Sequence, residues 1–427
     1  MKRVALYGLV PVAVLLALAI ATVVWLNLRG EDPLPDGPVA FDSSPAQVER
    51  GRYLALAGNC AGCHSIRGGA AYAGGLGIAT PFGTLYTSNL TPDPTHGIGN
   101  WNAAHFWRAL HNGRSKDGRL LYPAFPYTSF TAVTRADSDA IYAYLRTVPA
   151  DATPNKASKL RFPYDTQAAL AVWRALFFTP APFIADRTQS AEWNRGAYLV
   201  GGLGHCIACH GSRNALGATE DRRGLSGGLI PVENWYAPSL GSPREAGVAH
   251  WDRQQVIQLL KTGSTAQASV IGPMAAVVFR STQYLSDADL GAMATYLQQL
   301  PEDPAPARPD PVRTPSLRRD AGTMARGEGI YAQRCAYCHG DAGQGAVGAY
   351  PPLAGNRAVT MDSAVNLMQM VRHGGFLPAT AGNPRPYGMP PFGHVLDDGQ
   401  IADVLSYVRG AWGNDAAPVS RRDMMHR

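Results

Sequence analysis

The sequence predicts a mainly α protein in which one apolar N-terminal helix precedes three small helical domains in tandem. Three observations carry that reading: a long apolar run near the N-terminus, a Cys-x-x-Cys-His pattern that occurs three times, and a similar pair of helical segments flanking each copy. The 427-residue length agrees, at roughly 150 residues per domain. The domains are expected at residues 43–150, 187–302 and 321–415, behind an N-terminal segment of residues 1–30.

That N-terminal segment has Lys2 and Arg3 in front of an apolar run from Val4 to Leu26. The run is long enough to cross a bilayer, which takes about 20 residues. Positive charge at its start places the N-terminus in the cytoplasm and the rest of the chain outside. The alternative is a cleaved signal segment, with Ala17-Leu18-Ala19 as the cleavage site. The apolar run continues past that point through Ile20, Val23, Val24 and Trp25, which favours an uncleaved anchor. Residues 31–38 then read as a short linker.

The repeated pattern is Cys60-Ala61-Gly62-Cys63-His64, Cys206-Ile207-Ala208-Cys209-His210 and Cys335-Ala336-Tyr337-Cys338-His339, and it uses all six cysteines. Cys-x-x-Cys-His is the attachment signature of c-type haem. Both sulfurs must reach one porphyrin edge as thioethers while the adjacent imidazole sits under the iron. Zinc binding and redox disulfides also use paired cysteines, but no cysteine remains for a fourth zinc ligand or a separate disulfide. The sequence therefore predicts three covalent haem c groups, with His64, His210 and His339 on iron. Attachment outside the cytoplasmic membrane agrees with an exported chain.

Each motif follows a helical lead-in: Ser44-Pro45 to Leu54, with a serine cap and proline in the first turn; Asn194 to Leu199; and Ala325 to Tyr331. Each unit closes with a helix that has an acidic start and a late tyrosine, Asp137 to Leu145, Asp287 to Leu297 and Asp397 to Val408. Gly51, Gly196 and Gly327 on the lead-in helices let the closing helices cross at short range, with the aromatic packed over them. Such a crossing is what a cytochrome c fold looks like. Proline-rich residues 151–186 and 301–316 read as linkers, and residues 420–427 as a frayed tail.

A haem that only transfers electrons commonly has methionine as its second axial ligand. Met389, in Tyr387-Gly388-Met389-Pro390, and Met274, in Gly272-Pro273-Met274-Ala275, occupy the loop before the closing helix of the third and second units. Met293, Met368 and Met370 lie in helical patterns and read as core residues. The first unit has Phe125 in the equivalent loop, and phenylalanine cannot ligate iron. Its local imidazoles are His96 in a loop, His105 in mid-helix, and His111, which precedes Gly113 as Lys261 precedes Gly263 and Arg372 precedes Gly374. His111 is accordingly read as a cation at a helix C-terminus. His205 is read as structural or near the haem edge, and His373 and His394 as surface residues.

The composition is consistent with these domains. Hydrophobic residues make up 46% and charged residues 16%, and 46 glycines and 33 prolines suit loop-rich domains wrapped around a large cofactor that adds apolar surface. The net charge of +6 comes without a Lys/Arg-rich run, so no nucleic-acid partner is expected. No nucleotide-binding fingerprint or zinc spacing is present, and no catalytic residue is assigned.

With these motifs in place, the chain resembles the three-haem cytochrome c subunits of membrane-bound periplasmic dehydrogenases acting on alcohols, gluconate, fructose or sorbitol, and the related subunits of molybdenum aldehyde dehydrogenases. The resemblance covers residues 43 to about 419. Its segments are Thr80-Pro81-Phe82-Gly83-Thr84-Leu85-Tyr86, Asn89-Leu90-Thr91-Pro92-Asp93, Gly97-Ile98-Gly99, Gly196-Ala197-Tyr198-Leu199-Val200, and Tyr407-Val408-Arg409 with Trp412-Gly413-Asn414. The departure is Phe125, where the family commonly has Met. The resemblance implies an electron relay at the bacterial cytoplasmic membrane, with haem domains facing the periplasm. Its partners would be a catalytic subunit carrying flavin, quinone or molybdenum, and ubiquinone or another respiratory acceptor. The alternative is a peroxidase-like enzyme using an open iron at the first haem.

Overall fold

The computed structural model describes residues 2–35, 41–219, 224–302 and 320–425. Two compact units emerge, one from residues 1–55 and 63–184, the other from 56–62 and 185–427.

In the first unit, helix α1 (Lys2–Leu28) contains a 19-residue span, Val10–Leu28, that is apolar and almost wholly exposed. At about 1.5 Å per residue it matches the roughly 30 Å hydrocarbon core of a bilayer. Its end is not followed by a free linker. Glu31 lies between Arg114, at 2.8 Å, and Arg108, at 3.3 Å, and the Gly30 carbonyl accepts from Asn112. Helix α2 (Pro45–Ala57) starts where expected, with Ser44 Oγ accepting from Gln47 N–H. Next in the chain come α3 (Cys60–His64), of which residues 60–62 count with the second unit, and the antiparallel strands β1 (Gly77–Thr80) and β2 (Gly83–Tyr86). Helices α4 (Ala103–Asn112), α5 (Tyr127–Phe130) and α6 (Arg135–Leu145) complete the helical core.

Residues 151–186 correct the linker reading. Strand β3 (Lys159–Leu160) adds to β2, and helix α7 (Gln167–Phe177) follows. The prolines lie outside the run 167–177, and Thr166 caps it by accepting from Ala169 N–H, so this stretch is free to form a helix. Helix α7 packs on the end of α1. Asn27 donates to the Ala171 carbonyl, and the buried Arg174 donates to Asn27 Oδ1 and to the Asn112 carbonyl.

The second unit contains α8 (Ala191–Ala197), a π-helical segment Tyr198–Leu203, α9 (Ile207–His210), the hairpin β4 (Gly228–Ile230) and β5 (Trp235–Ala237), and α10 (Arg253–Thr262). Helices α11 (Pro273–Arg280) and α12 (Asp287–Gln298) follow. The unit continues with α13 (Ala321–Arg334), α14 (Ala336–His339), α15 (Arg357–Thr360), α16 (Val365–His373), the pair β6 (Gly375–Phe376) and β7 (Gly388–Met389), and α17 (Asp398–Val408). The proposed spacer at residues 301–316 lies almost wholly outside the described residues. Strand β5 is clamped to α16 through a side-chain amide: Asn366 donates to the Tyr236 carbonyl and accepts from Tyr236 N–H. The tail reading is corrected as well. Residues Arg421–Met425 form α18, because Ser420 and Asp423 cap each other and Met424 is buried in the core with Ile401 and Leu405.

The three lead-in helices meet their closing helices in the same way. A side chain at Gly51 of α2 would overlap the Ala140 carbonyl of α6, one at Gly196 of α8 the Ala292 carbonyl of α12, and one at Gly327 of α13 the Asp403 carbonyl of α17. Tyr144, Tyr296 and Tyr407 close over these contacts, as the sequence predicts. The arginine before each glycine adds an ion pair that the sequence reading missed: Arg50 with Asp137, Arg195 with Asp289 at 2.7 Å, and Arg326 with Asp403 at 2.7 Å.

Candidate haem-attachment sites

Each Cys-x-x-Cys-His occupies about one helical turn, in α3, at α9 and at α14, so the two cysteines at i and i+3 share a face. Asn59 and His205, just before the first cysteine of two motifs, have φ of 49° and 41°, and these left-handed residues turn the chain sharply out of its lead-in helix. His205 therefore serves the turn.

The three motif histidines are held alike. Nδ1 lies 2.7 Å from the Ser88 carbonyl in His64, 2.7 Å from the Pro238 carbonyl in His210, and 3.0 Å from the Pro351 carbonyl in His339. A carbonyl only accepts, so Nδ1 carries the proton and Nε2 keeps its lone pair for a metal. Burial lowers the pKa of all three rings, partly offset by that hydrogen bond, which keeps the imidazoles neutral. Burial also pushes the Cys206 thiol up to about 12 and the Cys335 thiol up to about 11, opposite to a reactive redox pair. None of the six cysteines is joined in a disulfide, and no cluster of three or more His, Cys, Asp or Glu able to hold a metal occurs among the described residues. Two thiols one turn apart beside a neutral imidazole with its Nε2 lone pair available is the donor set that haem c needs.

The Cytochrome c family model matches residues 48–149 and 324–412. The chain is 40% identical over 392 residues to the cytochrome c subunit of the quinone-type alcohol dehydrogenase of Gluconacetobacter polyoxogenes, covering 88% of this chain and 82% of that protein. The chain belongs to the cytochrome c subunits of dehydrogenase complexes. It is also 36% identical over 432 residues to the fructose dehydrogenase cytochrome subunit of Gluconobacter japonicus, covering 95% of this chain and 87% of that one. With the gluconate 2-dehydrogenase cytochrome c subunit of Pantoea cypripedii it shares 37% identity over 399 residues, 90% of this chain and 89% of that one.

Within this cytochrome subunit, Met274 lies in the first turn of α11 and Met389 in β7, paired to Gly375, and both are half-buried. Met293 and Met368 are buried core residues, as expected, whereas Met370 is partly exposed beside Gly375. His373 and His394 are exposed. In the first unit, the Phe125 ring packs on Phe130 at 5.4 Å, filling the loop with aromatic surface. Two histidine readings change. His111 is not a cation: it is buried and stacked on Trp107 at 4.5 Å, and burial lowers its pKa. Its counterparts face polar partners instead, Lys261 donating to the Leu285 carbonyl and Arg372 pairing with Asp398 at 2.5 Å. His105 is not in mid-helix, because α4 begins at Ala103. It forms a capping box with Asn102, its Nδ1 accepting from Asn102 N–H. The His96 N–H donates to Asp93 in the preceding turn.

Proposed function

We propose that this chain is the electron relay of a dehydrogenase complex at the bacterial cytoplasmic membrane, with its haem domains facing the periplasm. A catalytic partner carrying flavin, quinone or molybdenum oxidises an alcohol, a sugar or an aldehyde. When bound, three haem c groups supply the one-electron steps from that partner to ubiquinone or another respiratory acceptor. The observation that carries the reading is the threefold hold on the motif histidines, each with Nδ1 on a backbone carbonyl. Cys60 and Cys63, Cys206 and Cys209, and Cys335 and Cys338 would fix the porphyrins, and Met274 and Met389 would supply the second axial ligands. The apolar span Val10–Leu28 supports α1 as a retained anchor, since it continues without a break past the possible cleavage site at Ala19. No observation favours the peroxidase-like alternative.

The complex is to be purified in mild detergent from native membranes, and substrate of the co-purifying dehydrogenase added. Stoichiometric co-purification and substrate-driven haem reduction are expected; a chain that elutes alone, with haems that no dehydrogenase reduces, would sink the proposal.

Two predictions follow from the ligand assignments. A Cys206→Ser/Cys209→Ser variant should carry two covalent haems per chain against three in the parent, counted by alkaline pyridine spectra and intact mass. Met389→Ala and Met274→Ala should each lower the midpoint potential of one haem, within the roughly 0.8 V that axial ligands command. Potentiometric titration with absorbance detection reads both, and unchanged potentials would remove the two methionines as ligands.

A further inference from the structure

Helix α7 has its polarity inverted relative to a helix that faces water. A surface helix directs charge outward and apolar residues inward. In α7 the one charged residue, Arg174, is only 2% exposed and points into the first unit, where carbonyls and Asn27 bind it. The opposite stripe is Ala168, Val172 and Leu176, at i, i+4 and i+8, with Val172 48% and Leu176 64% exposed. Water is a poor solvent for such a face.

The position of α7 identifies a better one. Its hydrogen bonds to α1 fall at Asn27, and just beyond the two helices Arg29 donates to Thr179, at the end of the span Val10–Leu28. Those hydrogen bonds hold α7 at the depth where a spanning α1 leaves the hydrocarbon core. Trp25 on α1 is exposed, and Trp173 and Phe177 of α7 pack on each other at 5.5 Å, which puts aromatic rings at the level where they favour a membrane interface. An amphipathic helix in the plane of the interface buries its apolar face at the boundary of headgroups and acyl chains.

We propose that α7 is a second membrane contact, an interfacial helix that sets Ala168, Val172 and Leu176 into the lipid beside the anchor. The consequence is orientational. A single spanning helix leaves a domain free to swivel, whereas an anchor and an interfacial helix joined by Asn27 and Arg174 fix the first unit relative to the membrane plane. The inference rests on the reading that α1 spans the bilayer.

The test uses the full chain in its native membranes, with p-benzoylphenylalanine replacing Val172, Leu176, Leu16 or Glu49 in turn. After irradiation, the chain is analysed by mass spectrometry for phospholipid adducts. Adducts are expected at positions 172 and 176 in yields comparable to position 16, in the middle of α1, and absent at the exposed polar position 49. Lipid adducts at 16 but none at 172 and 176 would overturn the interfacial role and leave the anchor standing. Cross-links from 172 and 176 to another protein subunit would overturn it in favour of a protein partner. Absence of lipid adducts at 16 as well would overturn the anchor and, with it, the proposal.

Discussion

Glu31→Ala is expected to destabilise the first unit by about 3 kcal/mol, lowering its Tm by roughly 6–12 °C. Glu31 is 12% exposed, and its two partners Arg108 and Arg114 are 11% and 13% exposed, so all three side chains sit largely out of water. Removing the carboxylate leaves two guanidinium groups facing each other with no counter-charge between them. Their other bonds do not replace it, because Arg108 donates to the Ser115 and Lys116 carbonyls, and Arg114 to the Gly118 and Asn27 carbonyls, all neutral. Breaking a buried pair on one side costs more than removing the pair, since the stranded charge keeps its desolvation penalty. The double variant Glu31→Ala/Arg114→Met should therefore be more stable than Glu31→Ala alone. Circular dichroism melting of the detergent-solubilised protein reads both. Equal Tm values for Glu31→Ala and the parent would show that the cluster is solvated and that α1 is not locked to the domain through it.

That cluster also shows where sequence reading stops. The haem motifs are legible because their chemistry is local: two thiols and an imidazole must lie within one turn, so five consecutive residues carry the signal. The helix crossings are legible because the lead-in glycine and the late tyrosine recur three times in the same order. Glu31, by contrast, sits in a Pro-rich stretch that looks like a linker, and its partners at positions 108 and 114 are distant in the chain. Helix α7 was hidden for a similar reason, as prolines on both sides of it suggested an extended spacer. His111 reads as a cation because its counterparts in the other two repeats, Lys261 and Arg372, are basic residues; what the sequence does not show is the stacked Trp107 ring and the burial that lowers its pKa. Several family-like segments likewise prove to be clamps. Asn89 donates to the Asp151 and Thr153 carbonyls, and Arg409 to those of Val359 and Met361, so Asn89 holds the segment after α6 and Arg409 holds the end of α15.

Gly196→Val should be among the most damaging single changes in the helical core, and it separates geometry from charge at the helix crossing. A β-carbon at this position would overlap the Ala292 carbonyl and approach Tyr296 Cβ to 2.7 Å. Backbone on the far side cannot rotate away as a flexible side chain would, so α8 and α12 must separate along their length. Overpacking of this kind costs at least the usual 1–3 kcal/mol, and here about 3 or more. The neighbouring change, Arg195→Ala, removes the ion pair with Asp289 and the contact of its guanidinium with the Tyr198 ring, and costs about 1–2 kcal/mol because the arginine is one-third exposed. On the proposed three-haem reading, Gly196→Val is thus expected to lose the haem of the motif at Cys206 while the other two remain, because the lead-in helix that positions Cys206 no longer docks. Arg195→Ala should keep all three haems with a lower Tm. Gly51→Val and Gly327→Val should remove the haems at Cys60 and Cys335 in the same way, since each glycine faces a carbonyl in its own closing helix. Covalent haem per chain, counted by peptide mass after digestion, assigns each loss to its motif. A Gly196→Val protein with three haems and an unchanged melt would show that the crossing helices have slack, and that the threefold recurrence of this glycine needs another physical cause.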